Sequence, residues 1–189
     1  MTMERDNDRE TEPQWTIEPA RPGDSAGIVA VQKEAWLATY PDEKVGLTRQ
    51  DIESVKLDTP EKLQSYERSI EEQGEGKQMW VAREDDEIIG YCIAEKTDKV
   101  HEVRAIYVHP DHQGKKVGKA LMNTALEWLG PERDVCVWVF SHNKNAIEFY
   151  RSRGFVETTG EPSFLMVNGK PIPDLEMVKK RSNLPFEHI

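Results

Sequence analysis

The stretch AIYVHPDHQGKKVGKALMNTALEWL, residues 105–129, constrains the fold more than any other part of the chain. It begins as a strand, breaks at His109-Pro110-Asp111, and passes through a turn rich in Gly and Lys into a helix. A glycine loop that leads directly into a helix start brings unpaired backbone N–H groups to the positive end of the helix dipole. The pattern therefore predicts an anion site, with phosphate as the natural ligand.

Two glycines and three lysines make up most of this loop. Gly114 and Gly118 allow a ligand to approach the backbone closely. Lys115, Lys116 and Lys119 stand at the helix start, where positive charges oppose the helix dipole. An external anion would explain these lysines, and a solvated lysine-rich turn is the alternative.

The spacing of the glycines does not fit the common nucleotide-binding loops. The segment GKKVGKA has one residue too few between its glycines for the P-loop pattern G-x-x-x-x-G-K-[ST], and Ala120 lacks the hydroxyl that binds the metal. The dinucleotide fingerprint G-x-G-x-x-G is not matched either. Both classes of nucleotide site are therefore disfavoured.

The residues before this stretch predict a strand, two helices and a meander. WTIEPA is typical of a short strand, and Asp24 is a candidate N-cap for a helix that ends near Tyr40. Thr59-Pro60 begins a second helix. Three apolar runs between residues 77 and 108 then predict three antiparallel strands.

The residues after the stretch complete one mixed α/β domain over residues 15–180. VCVWVF predicts a buried strand, so the strand, helix and strand form a crossover with parallel pairing. A short helix closed by Gly154 follows, and Asn168-Gly169 marks a hairpin. We expect a disordered N-terminal tail over residues 1–14 and a C-terminal tail over residues 181–189.

Composition narrows the functional classes. No apolar run approaches the length that crosses a bilayer, and the polar first fourteen residues do not form a signal peptide. A net charge of −10 disfavours nucleic acid as a partner and slightly favours cationic ones. Cys92 and Cys136 lie in apolar runs, which predicts buried reduced thiols and a cytoplasmic location.

The segments VHPDHQGKKVGKAL and NKNAIEFYRSRGF together resemble motifs of the GNAT superfamily of acyl-CoA-dependent N-acetyltransferases. The loop pattern of that family is Gln or Arg, two residues, Gly, one residue, then Gly or Ala. Gln113 and Gly118 fit, while Lys116 occupies the first glycine position and would be strained if that position needs a positive φ. The resemblance runs from about Trp15 to Lys180. It implies an α/β (α+β) fold with a mixed, mostly antiparallel central sheet and helices on both faces.

The resemblance also implies acetyl-CoA as cosubstrate and indicates which residues bind it. The strand backbone at residues 106–108 would pair with the pantetheine arm, and residues 113–119 would hold the diphosphate. The residues so implied are Ile106, Tyr107, Val108, Gln113, Gly114, Lys115, Lys116, Val117, Gly118, Lys119 and Asn143. Asn143 is at the same time a candidate N-cap of its helix.

Two residues are candidates for proton transfer. Tyr150 matches the family tyrosine that protonates the departing CoA thiolate, although a core aromatic beside Phe149 is the alternative. Glu102 lies on the strand that leads into the loop and matches the carboxylate that some family members use as general base. His101 and His109 are alternative bases.

A metal site is disfavoured. The two histidines of HPDH are three residues apart, but they lie across a proline turn and lack a third ligand nearby in the sequence. The implied reaction, in which acetyl-CoA and an amine meet directly, needs no metal.

The acceptor amine is left open by the sequence. Trp36 and Tyr40 lie where the family's first helix and following loop wall the acceptor site, although Trp36 also fits a core position. The alternative function is a non-catalytic acyl-CoA-binding sensor or interaction module. An exposed strand of the C-terminal hairpin could pair across a homodimer.

Overall fold

The computed structural model describes residues 14–160 and 163–181. The helices are α1 (Ser25–Thr39), α2 (Arg49–Ser54), α3 (Pro60–Glu71), α4 (Val117–Leu129) and α5 (Lys144–Arg151). The strands are β1 (Trp15–Pro19), β2 (Lys77–Glu84), β3 (Glu87–Glu95), β4 (His101–Val108), β5 (Val135–Phe140), β6 (Val156–Glu157), β7 (Ser163–Val167) and β8 (Lys170–Lys179). The predicted tails fall almost entirely outside the described residues, so both stay predictions.

One mixed sheet organises the described part of the chain. Its strand order is β1-β2-β3-β4-β5-β8-β6, and β7 pairs with β8. All of these pairings are antiparallel except that of β4 with β5, which α4 connects. The predicted meander, parallel crossover and C-terminal hairpin are therefore confirmed.

Helices cover both faces of the sheet. On one face α4 buries Leu121, Met122, Ala125 and Leu129 against the central strands, in a cluster that also contains Tyr150 of α5. On the other face α1 and α3 pack over β2 and β3 in a second cluster. The predicted fold class, a mostly antiparallel sheet between helical layers, is confirmed.

Local signals explain most of the element boundaries. The hydroxyl of Thr59 accepts a hydrogen bond from the Lys62 amide at 3.2 Å, and Pro60 occupies the first helical position of α3. At the β7–β8 hairpin Asn168 and Gly169 have φ values of 48° and 76°, as a tight turn of this kind requires.

The short helix α2 is not predicted by the sequence analysis. Thr48 and Asp51 form a capping box at its start. The Lys170 ammonium of β8 also reaches the Asp51 carboxylate at 2.6 Å. Part of what holds this one-and-a-half-turn helix therefore comes from a residue more than a hundred positions away, which no local pattern indicates.

Two further observations bear on the class of protein. None of the helices in the described ranges combines the length and the apolar character that a membrane span requires. Cys92 and Cys136 are both buried and unbonded to each other, and burial raises the pKa of the Cys136 thiol to about 12. Neither thiol therefore has the character of a reactive nucleophile.

Candidate active site

The parallel strands β4 and β5 separate almost as soon as they pair. Only His101 with Val135 and Glu102 with Cys136 are in register, and beyond them the two strands diverge. Because β3 occupies the other edge of β4 as far as Val108, the edge that faces β5 is left without a partner strand. The divergence opens a cleft between the centre of the sheet and the start of α4.

A cavity of about 730 Å³ fills this cleft. One half, the loop half, is walled by the loop before α4, the first turn of α4, and α5. The other half, the aromatic half, is walled by Trp36, Thr39, Tyr40, Arg104, Trp138, Phe140, Leu165 and Asp174. The strand β4 between Val103 and Val108 runs along the cavity and joins the two halves.

The start of α4 presents unpaired amides to the loop half. The first hydrogen bond within the helix runs from the Ala120 amide to the Lys116 carbonyl at 3.1 Å. The amides of Val117, Gly118 and Lys119 therefore have no partner within the helix. The first turn contains no acidic residue and places Lys119 beside these amides, so the predicted anion site has the required donors.

Lys116 adopts the left-handed conformation that the sequence analysis considers for this position. It is the N-cap of α4 with a φ of 66° and a ψ of 1°. A side chain with a Cβ costs roughly 1–2 kcal/mol in this region of φ and ψ. Lys116 therefore holds a backbone conformation that favours glycine.

Replacing Lys116 with glycine should therefore stabilise the ligand-free protein by about 1 kcal/mol. Lys115→Gly is the matched control, because it removes the neighbouring lysine at a position whose φ is not in the left-handed region. We expect that control to destabilise the protein by about 0.5 kcal/mol through the added freedom of the unfolded chain. Denaturant unfolding of both variants measures the difference, and an equal change in the two would contradict the strain at Lys116.

Gly118 lies on the side of α4 that faces Val108 of β4 and Phe149 of α5. A Cβ built on this glycine would lie 3.5 Å from a methyl of Val108 and 3.6 Å from the ring of Phe149. These are ordinary van der Waals distances, so alanine fits, whereas the extra γ carbons of a β-branched side chain would crowd the backbone of the loop half.

Asn143 and Tyr150 enter the cavity from the two ends of α5. The Asn143 side chain accepts a hydrogen bond from the Ala146 amide at 3.1 Å, so Asn143 caps the helix and lines the cavity at the same time. Tyr150 lines the cavity and is 8% exposed, with its ring packed on Phe149 and Phe155. Tyr150 therefore belongs to the hydrophobic core and lines the cavity at the same time.

The hydroxyl of Tyr150 is set for donating a proton rather than for ionising. Burial raises its pKa, and the neighbouring Tyr107 and Cys92 add to the rise. Among the described residues no group forms a hydrogen bond with this hydroxyl. It therefore keeps its proton across the neutral range and has it available for a group in the cavity.

The aromatic half is built on α1, β5 and β8. Tyr40 donates to or accepts from the Tyr107 hydroxyl at 3.1 Å, and its ring packs edge-on against Trp36 and Phe140. Burial raises the pKa of Tyr40 well above its ordinary value. Both residues predicted for this wall, Trp36 and Tyr40, line the cavity.

Glu102 does not itself line the cavity, although its neighbours Val103 and Arg104 do. Burial raises the pKa of Glu102; Arg104 opposes the rise, and Glu95 and Glu176 add to it. A carboxylate with a raised pKa is a stronger base than an exposed one. Glu102 therefore lies next to the cavity wall rather than on it.

The alternative bases are both held by local hydrogen bonds. His101 is buried and its Nδ1 accepts from the Thr97 amide at 3.2 Å; burial and nearby positive charges lower its pKa. His109 Nδ1 accepts from the Asp111 amide at 3.3 Å. Within residues 14–160 and 163–181 no group of three or more His, Cys, Asp and Glu side chains is arranged to hold a metal ion.

Several residues of the aromatic half carry no signal in the sequence. Trp138 and Phe140 lie within the continuous apolar run of β5, where one face meets the core and the other meets the cavity, so no alternation marks them. Asp174 comes from β8, far along the chain. The register of β8 on β5 pairs Asp174 with Phe140, and only this pairing brings them together.

Comparisons with known proteins agree with this architecture. The model of the acetyltransferase (GNAT) family matches residues 28–155. An uncharacterized N-acetyltransferase of Methanocaldococcus jannaschii is 44% identical over 61 residues, covering 31% of this chain and 27% of that protein. The mycothiol acetyltransferase of Streptomyces griseus is 30% identical over 144 residues, covering 74% of this chain and 41% of that protein. The chain thus spans less than half the length of these two relatives.

Solved structures show the same fold. The PaiA N-acetyltransferase of Thermoplasma acidophilum in complex with coenzyme A superposes with a TM-score of 0.70 at 19% identity, covering 89% of this chain and 99% of that one. YncA of Salmonella typhimurium with acetyl-CoA gives a TM-score of 0.67 at 23% identity, covering 91% and 96%. At these identities the likeness concerns the fold.

Proposed function

Since this chain belongs to the acetyltransferase (GNAT) family, we propose that it transfers an acetyl group from acetyl-CoA directly to a primary amine of a small molecule or protein. One observation carries the proposal: the unpaired edge of β4 leads from the amides at the start of α4 into a cavity lined by Tyr150. An extended amide-containing chain can pair with that edge as an added strand would. The pantetheine arm of acetyl-CoA is such a chain.

The loop half would hold the cosubstrate. The amides of Val117, Gly118 and Lys119 and the nearby lysines suit a diphosphate, and Ile106, Tyr107 and Val108 offer backbone groups to the pantetheine arm. Asn143 retains its amide NH₂ for a further hydrogen bond after capping α5. When bound, acetyl-CoA supplies the thioester carbonyl that the amine attacks.

Proton transfer falls to two residues of the chain. An alkylammonium with a pKa near ~10.4 is neutral in only about one molecule in 2,500 at pH 7, equivalent to roughly 4.6 kcal/mol. We assign the removal of this proton to Glu102, through water. Tyr150 gives its proton to the CoA sulfur as the carbon–sulfur bond breaks, which is the easier task because a thiol has a pKa near ~8.5.

Acetyl-CoA should raise the melting temperature of the protein by mass action. At a concentration one hundred times Kd the expected stabilisation is about 2.7 kcal/mol, or about 5–10 °C for a domain of this size. Differential scanning fluorimetry with acetyl-CoA and with acetylated pantetheine separates the contribution of the nucleotide end. An unchanged melting temperature at millimolar acetyl-CoA would contradict the proposed function.

Gly118 provides the paired variants for this measurement. Gly118→Ala adds a Cβ at an ordinary contact distance and should keep most of the shift. Gly118→Val crowds the amides at the start of α4 and should weaken acetyl-CoA binding at least tenfold. Equal binding by both variants would show that the ligand does not approach this backbone.

A panel of amines then separates the enzyme from the alternative sensor module. Release of free CoA is followed with a thiol reagent in the presence of alkylamines, diamines, amino acids and peptides. Faster release with one class of amine supports transfer. Binding without any amine-dependent release would favour the non-catalytic module.

The remaining expectations stay predictions. The buried cysteines support a cytoplasmic location, and the net charge of −10 supports the exclusion of nucleic acid. Exposed Phe164, Leu165 and Met166 on β7 favour the proposed pairing of two copies through the C-terminal hairpin. Sedimentation at micromolar concentration tests that pairing.

A further inference from the structure

Asp174 introduces an unbalanced negative charge into the aromatic half of the cavity. Its Oδ1 atom is buried and has no hydrogen-bond partner among the described residues. Neither oxygen of this carboxylate takes part in an ion pair within those residues. Among the described residues that wall this half, Arg104 is the one cationic side chain, and its guanidinium instead pairs with Glu95 at 3.2 Å.

Within the described residues the fold offers no hydrogen-bond donor to the buried Oδ1 atom of Asp174, a residue that is partly buried as a whole. A buried carboxylate without a donor is unfavourable, so such a group is ordinarily paired with a cation or a hydrogen-bond donor. The side chain shares a sheet face with Phe140, its register partner on β5, and Phe140 packs on Tyr40 at 4.7 Å between ring centroids. Its other register partner, Ser163 of β7, carries a hydroxyl but does not donate to the buried Oδ1 atom, so neither cross-strand neighbour supplies a positive charge.

The surroundings favour a cation over a neutral donor. Trp36, Tyr40, Trp138 and Phe140 place four aromatic rings around this half of the cavity, and aromatic faces attract cations. On the same face of the sheet the carboxylate of Glu176 lies opposite Trp138, and Glu176 already raises the pKa of Glu102. Two carboxylates, those of Asp174 and Glu176, thus lie on this face of the sheet, whereas the loop half carries the lysines.

We propose that Asp174 binds a cationic group of the acceptor, so that the acceptor is a small molecule with a second positive charge beside the amine that is acetylated. This inference rests on the proposed function. A small acceptor is required because the cavity of about 730 Å³ must also admit the pantetheine arm. Asp174 and the aromatic rings hold the second cation while the first amine, brought to the end of the unpaired β4 edge, loses its proton.

Three amines with the same four-carbon chain test the proposal: 1,4-diaminobutane, butylamine and 4-aminobutyrate. They differ in carrying a cation, nothing or an anion at the far end. For the wild-type protein with saturating acetyl-CoA we expect kcat/KM to be highest for 1,4-diaminobutane and lowest for 4-aminobutyrate. Asp174→Asn, which keeps the size of the side chain, should lower kcat/KM for the diamine at least tenfold, chiefly by raising KM. The value of kcat/KM for butylamine should stay within twofold of that of the wild type.

Glu148→Gln is the matched control, since it removes one negative charge from an exposed position of α5 outside the cavity. It should change kcat/KM for each of the three amines by no more than twofold. The thermal shift with acetyl-CoA is measured on every variant and shows that each one folds. A wild-type protein without preference for the diamine, or a preference that survives Asp174→Asn, overturns the proposal. So does a protein that uses none of the three amines but is active on another amine of the panel. A missing thermal shift with acetyl-CoA, or the absence of CoA release with every amine, counts against the proposed function itself.

Discussion

Tyr150→Phe should lower kcat on the order of a hundredfold, the low end of the range for general acid–base catalysis. The variant loses only the hydroxyl, because phenylalanine keeps the ring contacts with Phe149 and Phe155. The affinity for acetyl-CoA should therefore stay within about twofold. The raised pKa of Tyr150 keeps the hydroxyl protonated at neutral pH, so the wild-type rate should show no titration of this group there. Stopped-flow release of CoA and equilibrium binding measure the two quantities.

Tyr66→Phe is the control for a buried tyrosine outside the cavity. The Tyr66 hydroxyl donates to Gln32 at 2.9 Å and lies 3.0 Å from the Tyr91 hydroxyl. Its removal leaves buried polar atoms without a partner and should cost about 1–3 kcal/mol of stability with kcat unchanged. Tyr150→Phe should show the opposite pattern, because its hydroxyl has no such partner in the described part of the chain. If Tyr150→Phe weakened acetyl-CoA binding as much as it slowed turnover, Tyr150 would be structural.

Local sequence signals account for most of the fold. The pair Thr59-Pro60, the hairpin residues Asn168-Gly169 and the crossover around α4 all act over a few residues or one unit, so their effects can be read without knowing the rest of the sheet. The loop could be predicted for the same reason. Its left-handed backbone extends to Lys116, which has a φ of 66°.

The cavity could not be predicted in the same way. It exists because β4 and β5 separate after two register pairs, while β8 continues along β5 from Val135 to Phe140. The point at which β4 and β5 part is a property of the whole sheet and is not indicated by the composition of β5 alone. Trp138 and Asp174 therefore become visible as wall residues only once the register is known.

Glu102 is predicted from the sequence in part, and the rest of its surroundings is known only from the structure. The family's strand carboxylate predicts a base at this position, but the sequence does not indicate that Val103 and Arg104, rather than Glu102, line the cavity. It also does not reveal the carboxylates of Glu95 and Glu176 that help to raise the pKa of Glu102, since these come from strands on either side. The basicity of Glu102 therefore depends on residues of other strands that the folded sheet brings close to it.

Glu102→Gln should lower the rate at pH 7 on the order of a hundredfold, because the amide keeps the size of the side chain and removes its basicity. Only the ionised carboxylate can accept the amine proton, so the wild-type rate should rise with pH through a pKa above the ordinary value for glutamate. In Glu102→Gln this acid limb should vanish or move. The pH dependence of kcat for both proteins, measured with one amine, provides the comparison.

Although the rate of Glu102→Gln should fall, its stability at neutral pH should not. A carboxylate whose pKa is raised in the folded state destabilises that state once both states are ionised, and this effect disappears as the pH falls below the unfolded value of about 4.3. Glu102→Gln should therefore be at least as stable as the wild type at pH 7, with no gain at pH 4 or below.

Glu95→Gln, which removes a neighbouring carboxylate, should keep kcat and move the acid limb to lower pH. A Glu102→Gln variant with the wild-type pH profile would transfer the base role to His101, His109 or a chain of waters, because no change at Glu102 would then reach the amine.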